Sequence, residues 1–309
     1  MSAPRSLAAL LFAGLAPIAV ACGNGQADTP SSPAPSTTAS NSTTPTTTAS
    51  TSTTASTSTT ASTTDSLDTQ TIRLVDHGFE MPDAITGPLV DLAIVNAGAV
   101  AHEIAIARVT PGTTTQQVID AIAARDQHAD FILDDPGGLS LIGPGAKLRY
   151  QRHLQPGFYI IFCPYPTPDG TRHMDHGMQH MFTISNTRDG ELPKPDITIT
   201  LRDDAIDVPD ITAGTHLVAV TNNGTRPHGA EITGTPSDAD TTQAAAELEQ
   251  WMLGGQQAPA PMQFDLPGGQ QSIAPGETVL LTLRFEVGYT YQIEDFSGDE
   301  PIRTILAVP

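Results

Sequence analysis

The folded part of this chain is written twice. Thr71-Ile72-Arg73-Leu74 returns as Thr198-Ile199-Thr200-Leu201, and Met81-Pro82-Asp83 returns as Val208-Pro209-Asp210. Ala93-Ile94-Val95-Asn96-Ala97-Gly98 leads to His102, just as Ala219-Val220-Thr221-Asn222-Asn223-Gly224 leads to His228. Pro136-Gly137-Gly138 is matched by Pro267-Gly268-Gly269, and Gly143-Pro144-Gly145 by Ala274-Pro275-Gly276. Finally Gly157-Phe158-Tyr159-Ile160 aligns with Gly288-Tyr289-Thr290-Tyr291, which sets Glu294 opposite Cys163. So many landmarks in one order restrict the fold to two copies of a single unit.

Each unit reads as β structure. Stretches such as Val90-Asp91-Leu92-Ala93-Ile94-Val95 alternate apolar and polar, and turn residues follow at short intervals. That pattern predicts a β-sandwich. One helix interrupts each copy: Thr113 or Thr114 caps a run in which Val118 and Ile122 share a face. In the second copy Ala244, Leu248, Trp251 and Met252 repeat at helical spacing until Gly254-Gly255. The units are expected over residues 67–187 and 195–309, joined by Gly190-Glu191-Leu192-Pro193-Lys194-Pro195.

Ahead of them lies an export signal. Arg5 precedes an apolar stretch, Leu7 to Val20, of about fourteen residues, which is too short to span a membrane. It ends in Ala19-Val20-Ala21-Cys22-Gly23, similar to a bacterial lipobox, with Ala19 where Leu is usual. Residues 1–22 are therefore read as a signal peptide, and Cys22 as the lipidated first residue of the mature protein. An ordinary signal peptide is the simpler alternative. Residues 23–66 are dominated by Ser, Thr, Ala and Pro and have nothing to bury, so they are expected to be a disordered tether. The chain is thus expected on the extracytoplasmic face of the membrane, held only through its lipid. A net charge of −20, from 34 acidic against 14 Lys and Arg residues, excludes nucleic acid and anionic headgroups as partners.

With Cys22 processed, Cys163 is the one remaining cysteine. An unpaired thiol in an exported protein is open to oxidation and usually has a task. Just downstream stands His173-Met174-Asp175-His176-Gly177-Met178-Gln179-His180-Met181. Thiolate, imidazole and thioether together are donors suited to copper in both oxidation states.

Three stretches carry a resemblance to the cupredoxins, the Greek-key β-sandwich family that holds type 1 copper. They are the early strand with Phe79 and Pro82, the Val95-to-His102 strand end, and Leu154-Gln155-Pro156-Gly157-Phe158-Tyr159-Ile160-Ile161-Phe162-Cys163. The resemblance covers residues 67–187 and, more faintly, the second unit. It implies two tandem Greek-key sandwiches and one copper ion, in the first. The ligands it implies are His102, Cys163, His173 and Met178, with Phe158, Tyr159 and Phe162 lining the shell. His176 with Met181 has the same internal spacing and is an equal alternative within the cluster. The spacing Cys163-x9-His173 departs from the family, whose histidine follows the cysteine closely; Pro164 to Gly170 is an added excursion.

Plainer readings exist for each residue. His102 can simply cross-link strands, as His228 is expected to, and Cys163 can be a buried hydrophobe. The second unit, lacking a His-Met loop, is expected to be metal-free. Asp134-Asp135 and Asp203-Asp204 read as solvated turns. The leading expectation is one-electron transfer with a redox partner protein at the cell surface. The alternatives are a copper chaperone or scavenger exchanging metal through loop 173–181 with a copper donor or acceptor, and a metal-free interaction module. Catalysis is disfavoured: there is no His-x-His pair of the multicopper oxidases. Phe162 stands where a copper nitrite reductase has histidine before its cysteine.

Overall fold

Strand formation follows the alternation: in Gln70–Val75 the buried residues are Ile72 and Leu74, and their neighbours Thr71 and Arg73 face out. The computed structural model describes residues 69–309, apart from 125, 127, 128 and 254–262. The expected export signal with Cys22, the expected tether and the expected Gly254-Gly255 helix stop lie outside the described residues. The first repeat contains β1 (Gln70–Val75), β2 (Gly78–Glu80), β3 (Ala84–Ile85), β4 (Leu89–Asn96) and β5 (His102–Val109). After helix α1 (Thr115–Ala123) come β6 (Ile132–Ile142), β7 (Lys147–His153), β8 (Gly157–Phe162) and β9 (Gln179–Ile184). The second contains β10 (Ile197–Leu201), β11 (Ile206–Asp207), β12 (Gly214–Asn222) and β13 (His228–Pro236). Helix α2 (Thr241–Leu253) and then β14 (Gln270–Ile273), β15 (Thr278–Phe285), β16 (Tyr289–Asp295) and β17 (Ile302–Val308) complete it.

The fold is all-β, with one short helix per repeat. Thr114 caps α1, accepting from Gln117 N while the Gln117 side chain returns to Thr114 N. Val118 and Ile122 are buried on the inner face of α1.

Both sheets run through both repeats. One has the order β11-β10-β12-β15-β7-β4-β1-β2, the other β17-β16-β13-β14-β6-β5-β8-β9-β3. The seams are β15 against β7, with Leu281 opposite Tyr150, and β14 against β6, with Gln270 opposite Leu139. One glycine of each paired Pro-Gly-Gly motif, Gly137 and Gly269, is pressed against the second seam. A Cβ on Gly137 would lie 2.2 Å from Ser272 O, and one on Gly269 would lie 2.4 Å from Ser140 Oγ. Asp134 and Asp135 belong to β6 rather than to a solvated turn.

Duplication extends to single hydrogen bonds. Asn96 Nδ2 donates to Val100 O and Ile142 O, and Gly98 N donates back to Asn96 Oδ1. Asn222 does the same with Arg226 O, Ile273 O and Gly224 N. Both amides are fully buried and therefore need these partners. Each staples the loop that starts the next strand, and so sets the position of His102 or His228.

Candidate metal centre

His102 opens β5, and Cys163 follows the last residue of β8. Those strands pair, Ala105 opposite Phe162, which brings the imidazole and the thiol to the same end of the sheet. The excursion after Cys163 is a tight hairpin. Pro166 bridges Arg172, Thr167 N donates to Thr171 O, and Asp169 accepts from Thr171 N at the tip. Its base is tied by His173 N to Tyr165 O and by Met174 N to Cys163 O. The nine intervening residues therefore return His173 beside Cys163.

A 3-10 turn, His173–His176, follows and ends at Gly177 with φ +106, a left-handed position suited to glycine. Arg172 closes it, donating to both carboxylate oxygens of Asp175 and holding that group below its usual range. The next residue, Met178, lies across from Cys163: Cys163 N donates to Met178 O, and Met178 N to His173 O.

Three donor atoms converge. His102 Nδ1 lies 3.0 Å from His173 Nδ1, and Cys163 Sγ is 3.5 Å from His173 Nδ1 and 4.0 Å from His102 Nδ1. Donors bound at about 2.0 to 2.3 Å to one tetrahedral ion stand about 3.3 to 3.6 Å apart. The spacing thus suits a shared ion, and all three residues are buried. Burial lowers both imidazoles to about 4, with mutual repulsion adding to the effect on His102, so both stay neutral. Burial pushes the Cys163 thiol up to about 12. Backbone N–H groups of Glu103, 3.4 Å away, and Tyr165 point at the sulfur. They would favour its thiolate form.

His102 Nε2 is buried without a hydrogen-bond partner, 3.8 Å from Asp76 Oδ1. A proton on that nitrogen faces the carboxylate and leaves the Nδ1 lone pair for an ion. The donor set also fits copper: two imidazoles, one thiolate and a buried thioether nearby are the constituents of a type 1 site.

The loop residues separate. His173 is buried and points at Cys163, whereas His176 is partly exposed, with Nε2 2.6 Å from Thr171 Oγ1. Met178 is fully buried in the same core cluster as Cys163. Met174 and Met181 pack instead in the cluster around α1. The aromatic shell also differs from expectation. Phe158 is 44% exposed, and Phe162 belongs to the helix-side cluster because neighbouring strand residues face opposite sides. Tyr165, which the sequence singles out only as part of the excursion, sets its ring edge-on to His173. Asn96 was visible only as a repeat landmark; its role in placing His102 rests on the folded loop.

In the second repeat Asp295, not Glu294, takes the place of Cys163. Glu231 pairs with Glu294 as Ala105 pairs with Phe162, so the following residues correspond. His228 is fully buried, with Nδ1 2.6 Å from Asp295 Oδ2 and Nε2 3.0 Å from Asp203 Oδ1. Asp203 is therefore a strand cross-link as well as a turn residue; it also accepts from Thr225 N and Oγ1.

No family description matches the chain, and no curated relative is recognisable from its sequence. Among solved structures it is similar to dithionite-reduced auracyanin from Roseiflexus castenholzii, at 20% identity and a TM-score of 0.27. That match covers 37% of this chain and 94% of the other. It is also similar to a multicopper oxidase, at 15% identity and a TM-score of 0.23, over 77% of this chain and 88% of the other. The Cu-containing nitrite reductase from Thermus scotoductus SA-01 matches at 11% identity and a TM-score of 0.21, over 78% and 61%. The functional reading rests on the geometry of the site itself, not on likenesses this distant.

Proposed function

We propose that this protein binds one copper ion in its first repeat and passes single electrons to or from a partner protein. The convergence of His102 Nδ1, His173 Nδ1 and Cys163 Sγ carries this reading. His102, Cys163 and His173 would hold the ion, and the buried thioether of Met178 would be the fourth donor. Bound copper would supply a one-electron couple.

The chain's own residues do the rest. Two sheet strands and a hairpin base fix the donors in advance, so little has to rearrange when the charge of the site changes. Burial of every donor excludes water. The Glu103 and Tyr165 amides stabilise sulfur as thiolate, and the Asp76 carboxylate, 3.8 Å from His102 Nε2, favours a proton on that nitrogen. Full burial of Met174 and Met178 removes two thioethers from any exposed carrier loop, which favours electron transfer over open metal exchange. Export and a lipid anchor at Cys22 would place this chemistry outside the cytoplasm, where the acidic surface favours a basic partner.

The visible spectrum tests the proposal. Full-length protein given Cu(II) should bind one ion and show an intense blue or green thiolate band. Cys163→Ser should abolish the band. Undiminished colour in that variant, or no bound copper in the parent, would refute the reading.

A further inference from the structure

The donors of the buried site have almost no surface of their own: His102 and Cys163 are 0% exposed and His173 5%. An ion therefore needs an entrance. The turn between β1 and β2 and the 3-10 turn meet there, with His77 O 3.5 Å from the position a Gly177 Cβ would take. Each turn contributes one outward imidazole. His77 is exposed, His176 is partly exposed, and their ring centres are 6.4 Å apart. Two imidazoles sharing one ion have ring centres about 5 to 6.5 Å apart, so this pair sits at the wide end of that range. Asp76, next to His77, lies 3.8 Å from His102 Nε2, and His176 shares its 3-10 turn with His173, so both turns adjoin the buried donors.

The hairpin that separates Cys163 from His173 prepares His176 for such a role. Thr171 Oγ1 donates to Asp169 Oδ1 at 2.5 Å, so its one proton is committed. The 2.6 Å contact with His176 Nε2 must then be a bond donated by the imidazole. This fixes the Nε2–H tautomer and leaves Nδ1 as the free metal donor, the usual arrangement behind a ligating histidine. Asp169, 3.9 Å from His176, and Asp76, beside His77 in sequence, add negative charge that draws a cation.

We propose that His77 and His176 form an outer copper-docking site, which takes the ion from solution and hands it inward to His102, Cys163 and His173. Handover is ligand exchange, two exposed imidazoles giving way to buried imidazoles and the thiolate, with the thiol proton released to solvent. The second step rests on the copper reading above; the outer site itself does not.

Rapid mixing of metal-free, full-length protein with Cu(II) tests it. In the His77→Ala/His176→Ala double variant, growth of the visible band should slow by about tenfold or more. Final stoichiometry and band shape should match the parent. An unchanged rate overturns the proposal, and so does an altered final band, which would make these residues part of the inner site. A second measurement stands apart from the inner site. In His102→Ala/Cys163→Ser/His173→Ala, which removes the three inner donors, Cu(II) should still bind weakly and show two coupled imidazole nitrogens by electron spin-echo methods, and adding the double substitution should remove that signal. Its absence in the triple variant, or its persistence after the double substitution, refutes the outer site even if the parent never develops colour.

Discussion

Asp295 holds in the second repeat the position that Cys163 holds in the first. Gly229 N donates to Asp295 Oδ1 at 3.0 Å, as Glu103 N donates to Cys163 Sγ at 3.4 Å. The following histidine-facing contact differs in kind. Cys163 and His102 face a space shared with His173, whereas Asp295 bonds His228 directly. One exchange of side chain turns a candidate metal ligand into a hydrogen-bonded cross-link.

His228→Ala should therefore destabilise the protein without touching the first repeat. It leaves the Asp295 carboxylate, 2% exposed, without its imidazole partner. Asp295 keeps its bonds from Gly229 N and from Ser297 N and Oγ, so the loss is that of one hydrogen bond to a charged group, about 1.5 to 3 kcal/mol. Urea denaturation should show that loss while copper stoichiometry and visible colour stay at parental levels. A stability within experimental error of the parent would contradict it.

Met178 should tune the potential. An axial thioether adjusts the balance between oxidised and reduced copper. Met178→Leu should raise the midpoint potential and Met178→Gln should lower it, read by voltammetry. Equal potentials in all three proteins would remove Met178 from the ligand set, and a shift seen in Met181→Leu instead would transfer the role.

Metal loading at pH 7 should release one proton per ion. The Cys163 thiol, pushed up to about 12, is protonated before loading, and His102 and His173, lowered to about 4, are not. Only the thiol has a proton to lose when the ion binds. Calorimetric titration in buffers of different ionisation enthalpy gives this number directly. Two or more protons would mean that an imidazole is charged in the metal-free protein.

Asp135 gives a stability term that fades toward neutral pH. Burial pushes its carboxyl up to about 7 from the ordinary 3.8, despite the hydrogen bond from Gly137 N. The folded protein therefore holds a proton that the unfolded chain gives up above pH 4. Stability from this group is full below about 4 and is lost as pH rises through about 7. Asp135→Asn should flatten that part of the stability profile. The same slope in the variant would assign it to another group.

The sequence showed much of this in outline. Repeat landmarks, strand alternation and the Thr114 cap are local patterns, and the structure carries them as all-β repeats with one helix each. His102 and Cys163 stood out because each ends a recognisable sequence pattern, although in the structure His102 opens β5. The choice between His173 and His176 was not legible. Both occupy one 3-10 turn, and which faces inward depends on the hairpin base at Tyr165 and Cys163. Glu294 was set opposite Cys163 because matching by Gly157 and Gly288 is one residue out of register. Strand pairing shows the step, and in a strand one residue changes the face.

By itself, then, the sequence determined the duplicated all-β plan and the types of donor available: the Cys163 thiol, with imidazoles and thioethers crowded behind it. These are properties of composition and of short-range periodicity, which a chain carries in every conformation. Tertiary structure decided which donors meet. It brought three atoms from β5, the end of β8 and a returning hairpin within 4.0 Å, and placed Met178 across from Cys163. It also turned His176 outward toward His77. Contacts between residues far apart in the chain are set by register and packing, and no spacing along the sequence encodes them alone.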